Sequence, residues 1–401
     1  MIYAEPLVDD DIIYVATEGD SVYALNETNG AVLWSTNIGN PVDVSNIGLP
    51  SSCWTINPIG ITSTPAIDPD SGTLYTVGFV SPGQFLLVAL NVNNGHETWS
   101  EVVDPQGMDP LTQQQRPALA LANGYVYIGF GGNGGDCGQY NGYLVAAPEN
   151  GSSSLLSYEI PTTNGGPIWG PSGPAIDNSS GDVFISTGNS NSTTTYDYGN
   201  SVIKLSPTLK VLGYFAPSDW AALNSGDLDL GSVGPTILNN ETIFQVGKEG
   251  VGYLLSMDHL GGIGGEEFSA PICWQGSEAT FNGGAYGGVA YDPPYLYVPC
   301  LSNGIIAIEI ELGNSPSYSR VWNSTGFFAG SPIVAYGAVW TVNIGGTYPG
   351  QNGTLYALNP KNGDVMFSAP LGLVGHFISP SSDNNLIFVG GNDSIQAFKV
   401  N

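Results

Sequence analysis

Polar and apolar positions along the chain follow one unit repeated eight times: a proline or small residue with a short apolar run, a tight turn, then an aromatic inside a β-branched run. The aromatics are Tyr14, Tyr75, Tyr127, Phe184, Phe244, Tyr297, Trp340 and Phe388, at spacings of 43 to 61 residues. That is the period of a four-stranded unit, too long for a helical hairpin or a single strand pair. In the first unit, residues 12–17, 21–25 and 31–35 read as strands of alternating or fully apolar type. Glu18-Gly19-Asp20 and residues 26–30 between them carry turn chemistry, and residues 2–6 supply a fourth strand. One such sheet cannot bury both faces, so stacking in a ring must supply the core. The pattern predicts an all-β chain, an eight-bladed β-propeller of four-stranded antiparallel blades with strands A to D running from hub to rim.

The ring takes up residues 1–401 as one domain, with A strands expected to begin near residues 2, 61, 116, 172, 232, 286, 330 and 377. The last unit stops at residues 395–400 in a C strand, so blade eight is expected to be three-stranded or completed by another segment. A raw outer edge invites a donated strand, which makes self-association or a protein partner an expectation there. No run of about 18 apolar residues occurs, which argues against membrane insertion through a helix. The start lacks a basic-then-apolar leader but opens inside a strand pattern, as a chain with a removed leader would.

Residues 352–363 repeat the C strand and C–D turn of the first unit almost residue for residue. With Tyr14-Val15, Tyr23-Ala24-Leu25-Asn26, Tyr356-Ala357-Leu358-Asn359 and Trp34, the chain resembles the pyrroloquinoline-quinone-like (PQQ-like) repeat family of β-propellers. The family unit reads as a Tyr-Val strand, a Tyr-Ala-Leu-Asp/Asn strand, a Thr-Gly turn and a Trp strand. Residues 196–206 and 227–232 look like secreted members of it. The resemblance spans essentially the whole chain and specifies fold more than function, because such propellers serve redox enzymes, hydrolases and assembly scaffolds.

Net charge is −28, from 35 acidic against only seven basic side chains. Such a surface repels nucleic acid and anionic lipid, so neither is an expected partner. At pH near 2 most carboxylates are neutral and ten cationic side chains remain, His included. Self-repulsion is then small, and the expectation is an acid-adapted protein of the extracellular space or cell surface.

Four cysteines allow three pairings, of which Cys53–Cys137 and Cys273–Cys300 are expected from their places in the early-blade loops and around blade six. No Cys-x-x-Cys or His-rich cluster occurs, and no metal site is expected. Asn-x-Ser/Thr acceptors stand at Asn26, Asn150, Asn178, Asn191, Asn240, Asn323, Asn352 and Asn392, mostly in turns, as a glycoprotein would require.

Short A–B and C–D connections contrast with long D–A and B–C ones, which in an up-and-down blade emerge on one face. Loops on a rigid scaffold are where binding residues concentrate. Arg116 and Lys248 fall on that face near the hub, and His376 precedes the A strand of blade eight. Together they would hold a small anion or polar ligand; alternatively the two cations pair with Asp227, Asp229 or Glu249. Asp227 and Asp229, candidates for general acid–base work, share their loop with Trp220, while Trp169 and Trp274 stand on neighbouring loops. Core plugging is the alternative role for the indoles.

The resemblance implies three functions. Quinoprotein dehydrogenases stack their quinone on a Trp floor, chelate calcium and often carry a disulfide between adjacent cysteines, a pair this chain lacks. Tetrathionate hydrolases, secreted and acid-loving, act on a sulfur dianion without quinone. Outer-membrane assembly scaffolds bind only. The expectation is a non-redox binding or surface scaffold with no cofactor, working through its long-loop funnel and open blade edge. Tetrathionate-type hydrolysis is the alternative, and quinone oxidoreduction follows it.

Overall fold

The computed structural model describes residues 1–134, 136–152, 154–273, 283–346, 350–376 and 378–400. Eight sheets surround a common axis, antiparallel except for one short parallel pairing at the rim of blade four, Phe215 with Gly262 and Ala216 with Ile263. Blade one pairs Leu7–Asp9, Ile12–Thr17, Ser21–Asn26 and Val32–Asn37 in that order; blades two to seven repeat the arrangement, with Gln113–Gln114 added to blade three and Gly262–Ile263 to blade four. Blade eight has three strands, Ser381–Asp383, Leu386–Gly390 and Ile395–Lys399. Trp220–Gly226 is an α-helix within otherwise β structure. Among the described residues no helix is long and apolar enough to cross a membrane.

The eight repeated aromatics occupy equivalent places. Each lies on a B strand, opposite Leu7, Ala66, Ala120, Ala175, Thr236, Ala290, Ile333 and Ser381 respectively. All eight are buried. Several pair with an aromatic of the D strand in the same blade: Tyr14 with Trp34 and Tyr75 with Trp99 at 6.0 Å, Tyr297 with Trp322 at 5.8 Å. The D-strand indoles also join neighbouring blades. Trp34 Nε1 donates to the Val92 carbonyl of blade two and Trp322 Nε1 to the Pro360 carbonyl of blade seven, both at 2.8 Å. Their rings cover Gly95 and Gly363 in the C–D turns, whose φ of +69° and +74° and lack of space for a Cβ both require glycine. Each blade thereby buries its face against the next.

The A strands begin three to five residues later than the sequence pattern suggests, at Leu7, Ala66, Ala120, Ala175, Thr236, Ala290, Ile333 and Ser381. Residues 2–6 are therefore not the first strand. Near the axis the chains converge, and the entering segments turn side chains such as Tyr3 and Glu5 into the central funnel before the ladder starts.

The ring closes where blade one meets blade eight. The Ile2 amide donates to the Gly391 carbonyl at 3.2 Å, and Ile2, Ile13, Val15 and Phe388 form the core of this seam. Disulfides join Cys53 to Cys137 and Cys273 to Cys300.

Candidate functional site

The segments entering the A strands line a cavity of about 910 Å³ on the axis. They contribute Tyr3 and Glu5 from blade one, Arg116 from blade three, Trp169 from blade four, Tyr286 from blade six and His376 from blade eight. Loops after the B strands add Asp136 and Lys248. The Cys53–Cys137 disulfide ties together two loops that deliver Thr55 and Asp136 to the wall.

Lys248, at the hub end of blade five, is held by two carboxylates. Its Nζ lies 2.6 Å from Asp229 Oδ2 and 3.0 Å from Asp227 Oδ1. Burial alone would lower its pKa, but the two aspartates hold it above the ordinary lysine range. Asp229 Oδ1 also accepts the Asn189 amide at 2.6 Å. Asp227 is half-exposed at the cavity, and burial and then the Asp229 charge push its pKa up, against the pull of Lys248. Of the two readings open for the cations, ion pairing with Asp227 and Asp229 is realised at Lys248.

Arg116 differs. Among the described residues it forms no ion pair, its Nη2 donates to Gln114 Oε1 at 2.6 Å, and its buried Nε has no hydrogen-bond partner. Its guanidinium lies 5.6 Å from the Trp169 ring centroid, and Lys248 Nζ lies 5.4 Å from the same ring. Cation–π attraction thus places two positive charges around one indole.

Buried acids complete the wall. Burial raises Glu5 to about 7, partly offset by its hydrogen bond with Ser379, and raises Glu18 to about 7 behind it. Asp136 is raised by burial and accepts Tyr140 Oη at 2.6 Å. His376 is lowered to about 4 by burial and by the nearby Arg116 charge.

Of the sequence candidates, Arg116, Trp169, Asp227, Asp229, Lys248 and His376 converge on this cavity. Glu249 and Trp220 do not line it. Glu249 follows Lys248 at the turn and accepts Tyr253 Oη at 2.7 Å; Trp220, on the helix, packs edge-on against Tyr196 at 5.6 Å. Trp274 lies outside the described residues. Sequence reasoning missed Tyr3, Glu5 and Asp136. The position just before each A strand, already marked by Arg116 and His376, was the available signal for Glu5. Of the acceptor asparagines, Asn150, Asn178, Asn191, Asn240, Asn323, Asn352 and Asn392 are exposed, whereas Asn26 is half-buried with its amide oxygen engaged by Thr28.

A family model described as outer membrane protein assembly factor BamB matches residues 2–210. No curated protein matches the chain in sequence. Among solved structures, the quinohemoprotein alcohol dehydrogenase from Comamonas testosteroni is similar with a TM-score of 0.70 at 15% identity, over 97% of this chain and 70% of that one. BamB from Moraxella catarrhalis aligns with a TM-score of 0.62 at 12% identity, over 98% and 92%. A europium-containing methanol dehydrogenase aligns with a TM-score of 0.68 at 18% identity, over 96% and 81%.

Proposed function

The chain belongs to the PQQ-like β-propeller family described as outer membrane protein assembly factor BamB, and we propose that it is a secreted, non-redox binding protein of an acidic surface environment that captures a small anion in its funnel. The observation that carries this reading is Arg116: a buried guanidinium in the cavity wall, over Trp169, with an unpartnered Nε and no ion pair among the described residues. A buried cation with no carboxylate in ion-pair contact gains from an anionic ligand. Below neutral pH Glu5 in the wall and Glu18 behind it take up protons, which removes two negative charges from around Arg116. Both disulfides suit an oxidising compartment. The three-stranded blade eight adds an edge at which a protein partner would dock.

The residues do not fit the quinone and metal of the family's dehydrogenases. Trp169 is only 9% exposed, with the Arg116 and Lys248 cations and the tilted Tyr286 ring around it where a quinone would need an open stacking face. Asp227 and Asp229 are committed to Lys248, and neither disulfide joins adjacent cysteines.

Thermal denaturation near pH 4 with sulfate, thiosulfate or tetrathionate tests the reading. Binding at about a hundred times the dissociation constant stabilises by about 2.7 kcal/mol, and Arg116→Gln should abolish the effect. No shift with any anion, or a shift that survives Arg116→Gln, overturns the proposal. Hydrolysis is a second reading, favoured by Asp227, a half-exposed acid with a raised pKa facing the same cavity. Turnover of tetrathionate that disappears in Asp227→Asn while binding persists would establish it.

A further inference from the structure

On the opposite face, at the closure seam, Asp11, Glu27 and Asp383 converge away from the funnel. Asp11 sits in the A–B turn of blade one, between Leu7–Asp9 and Ile12–Thr17. Glu27 follows the C strand Ser21–Asn26, and its amide donates to the Asp11 carbonyl at 3.0 Å. Asp383 ends the A strand of blade eight. One carboxylate oxygen from each lies within 4.8 Å of the other two. Among the described residues no Lys or Arg forms an ion pair with any of the three.

Glu27 separates this cluster from an ordinary acidic surface patch. It is 5% exposed, and its buried Oε1 has no hydrogen-bond partner. Its other oxygen accepts from Asn384 Nδ2 at 3.0 Å, the same amide that reaches Asp11 Oδ1 at 2.8 Å and Asp383 Oδ2 at 3.2 Å. A buried carboxylate with an unsatisfied oxygen, beside two further carboxylates, is costly without a cation.

We propose that Asp11, Glu27 and Asp383 bind a hard divalent cation of the calcium class, which fastens blade one to blade eight. Oxygens bound to one calcium at about 2.3–2.6 Å can lie no more than about 5 Å apart, a limit this cluster meets. An all-oxygen donor set without His or Cys selects calcium or magnesium over zinc or copper. Amide nitrogen and oxygen are interchangeable in placement, so a rotated Asn384 presents Oδ1 to the cation as a fourth protein ligand. The location is also where a clip has most effect. Asp11 and Asn384 are 373 residues apart in sequence, and a link that closes so long a loop removes the most unfolded-chain entropy.

The test is calorimetric titration and thermal unfolding of the whole chain, EDTA-treated and near pH 6.5, with calcium chloride at about 1 mM and magnesium chloride as comparison. The wild type should bind one calcium and gain several degrees in Tm. Glu27→Gln and Asp383→Asn should each abolish the gain while the metal-free protein melts no lower than wild type, because one of three mutually repelling charges is gone. Absence of calcium binding in the wild type, or a gain retained in both variants as loose binding to the acidic surface would give, overturns the proposal. Should Glu27→Gln fail to fold, the half-buried Asp383 decides alone.

Discussion

Lys248 Nζ stands 2.6 Å from Asp229 Oδ2, with the two side chains 7% and 5% exposed, so the charges have left water together. Removing the lysine strands a buried carboxylate. Lys248→Met should therefore cost about 3–5 kcal/mol in denaturant unfolding, and the double variant with Asp229→Asn should recover part of it. Equal destabilisation by single and double variants would show that the pair does not act as a unit.

Stability should decline from acid toward alkaline pH. Glu5, Glu18 and Asp20 are raised by burial to about 7, about 7 and about 8, so each binds its proton more tightly folded than unfolded. Their contribution is fully present below the ordinary carboxylate range and is lost as pH rises through 7 to 8. His376, lowered to about 4, acts in the opposite sense, losing stability as pH falls from about 6.5 toward 4. Three acids outweigh one imidazole, and Tm should fall between about pH 5 and 8. Glu18→Gln keeps the acceptor for the Gly60 amide and should flatten the profile, by on the order of 3 kcal/mol at pH 8.

Anion affinity should rise as pH falls from about 7 to 4, because Glu5 in the wall and Glu18 behind it lose charge near Arg116. Calorimetric titration with thiosulfate at both pH values measures it. Glu5→Gln combined with Glu18→Gln should raise the affinity at neutral pH toward the acid value.

The two disulfides should contribute unequally. Cys53–Cys137 spans 84 residues and Cys273–Cys300 only 27, so chain entropy gives about 4–5 and 3–4 kcal/mol respectively. Paired Ser substitutions compared by urea unfolding test the order. Loss of Cys53–Cys137 should additionally weaken anion binding, since that bridge fixes the loops carrying Thr55 and Asp136.

Much of the ring was legible because its rule is local. An aromatic at Tyr14 or Phe388 must face a small or apolar A-strand neighbour and a stacked blade wherever the unit recurs. Arg116, Lys248 and His376 could be placed near the axis by their blade positions alone. Glu249 could not be separated from Lys248, because adjacent residues at a turn point to different surroundings and the sequence pattern does not say which one meets the axis. Trp220 was misplaced because its short helix, Trp220–Gly226, carries it onto Tyr196 and away from the funnel.

The sequence by itself determined the number of blades and the strand that carries each core aromatic, which follow from short-range periodicity, and its loop positions favoured one disulfide pairing among three, the one the fold realises. Only the tertiary structure decided which charges meet. Asp229 took Lys248 and left Arg116 without an ion pair, and Glu27 joined Asp383 across the seam. Those pairings depend on a few ångströms between segments hundreds of residues apart. Closure of the ring sets such distances, and no local pattern encodes them.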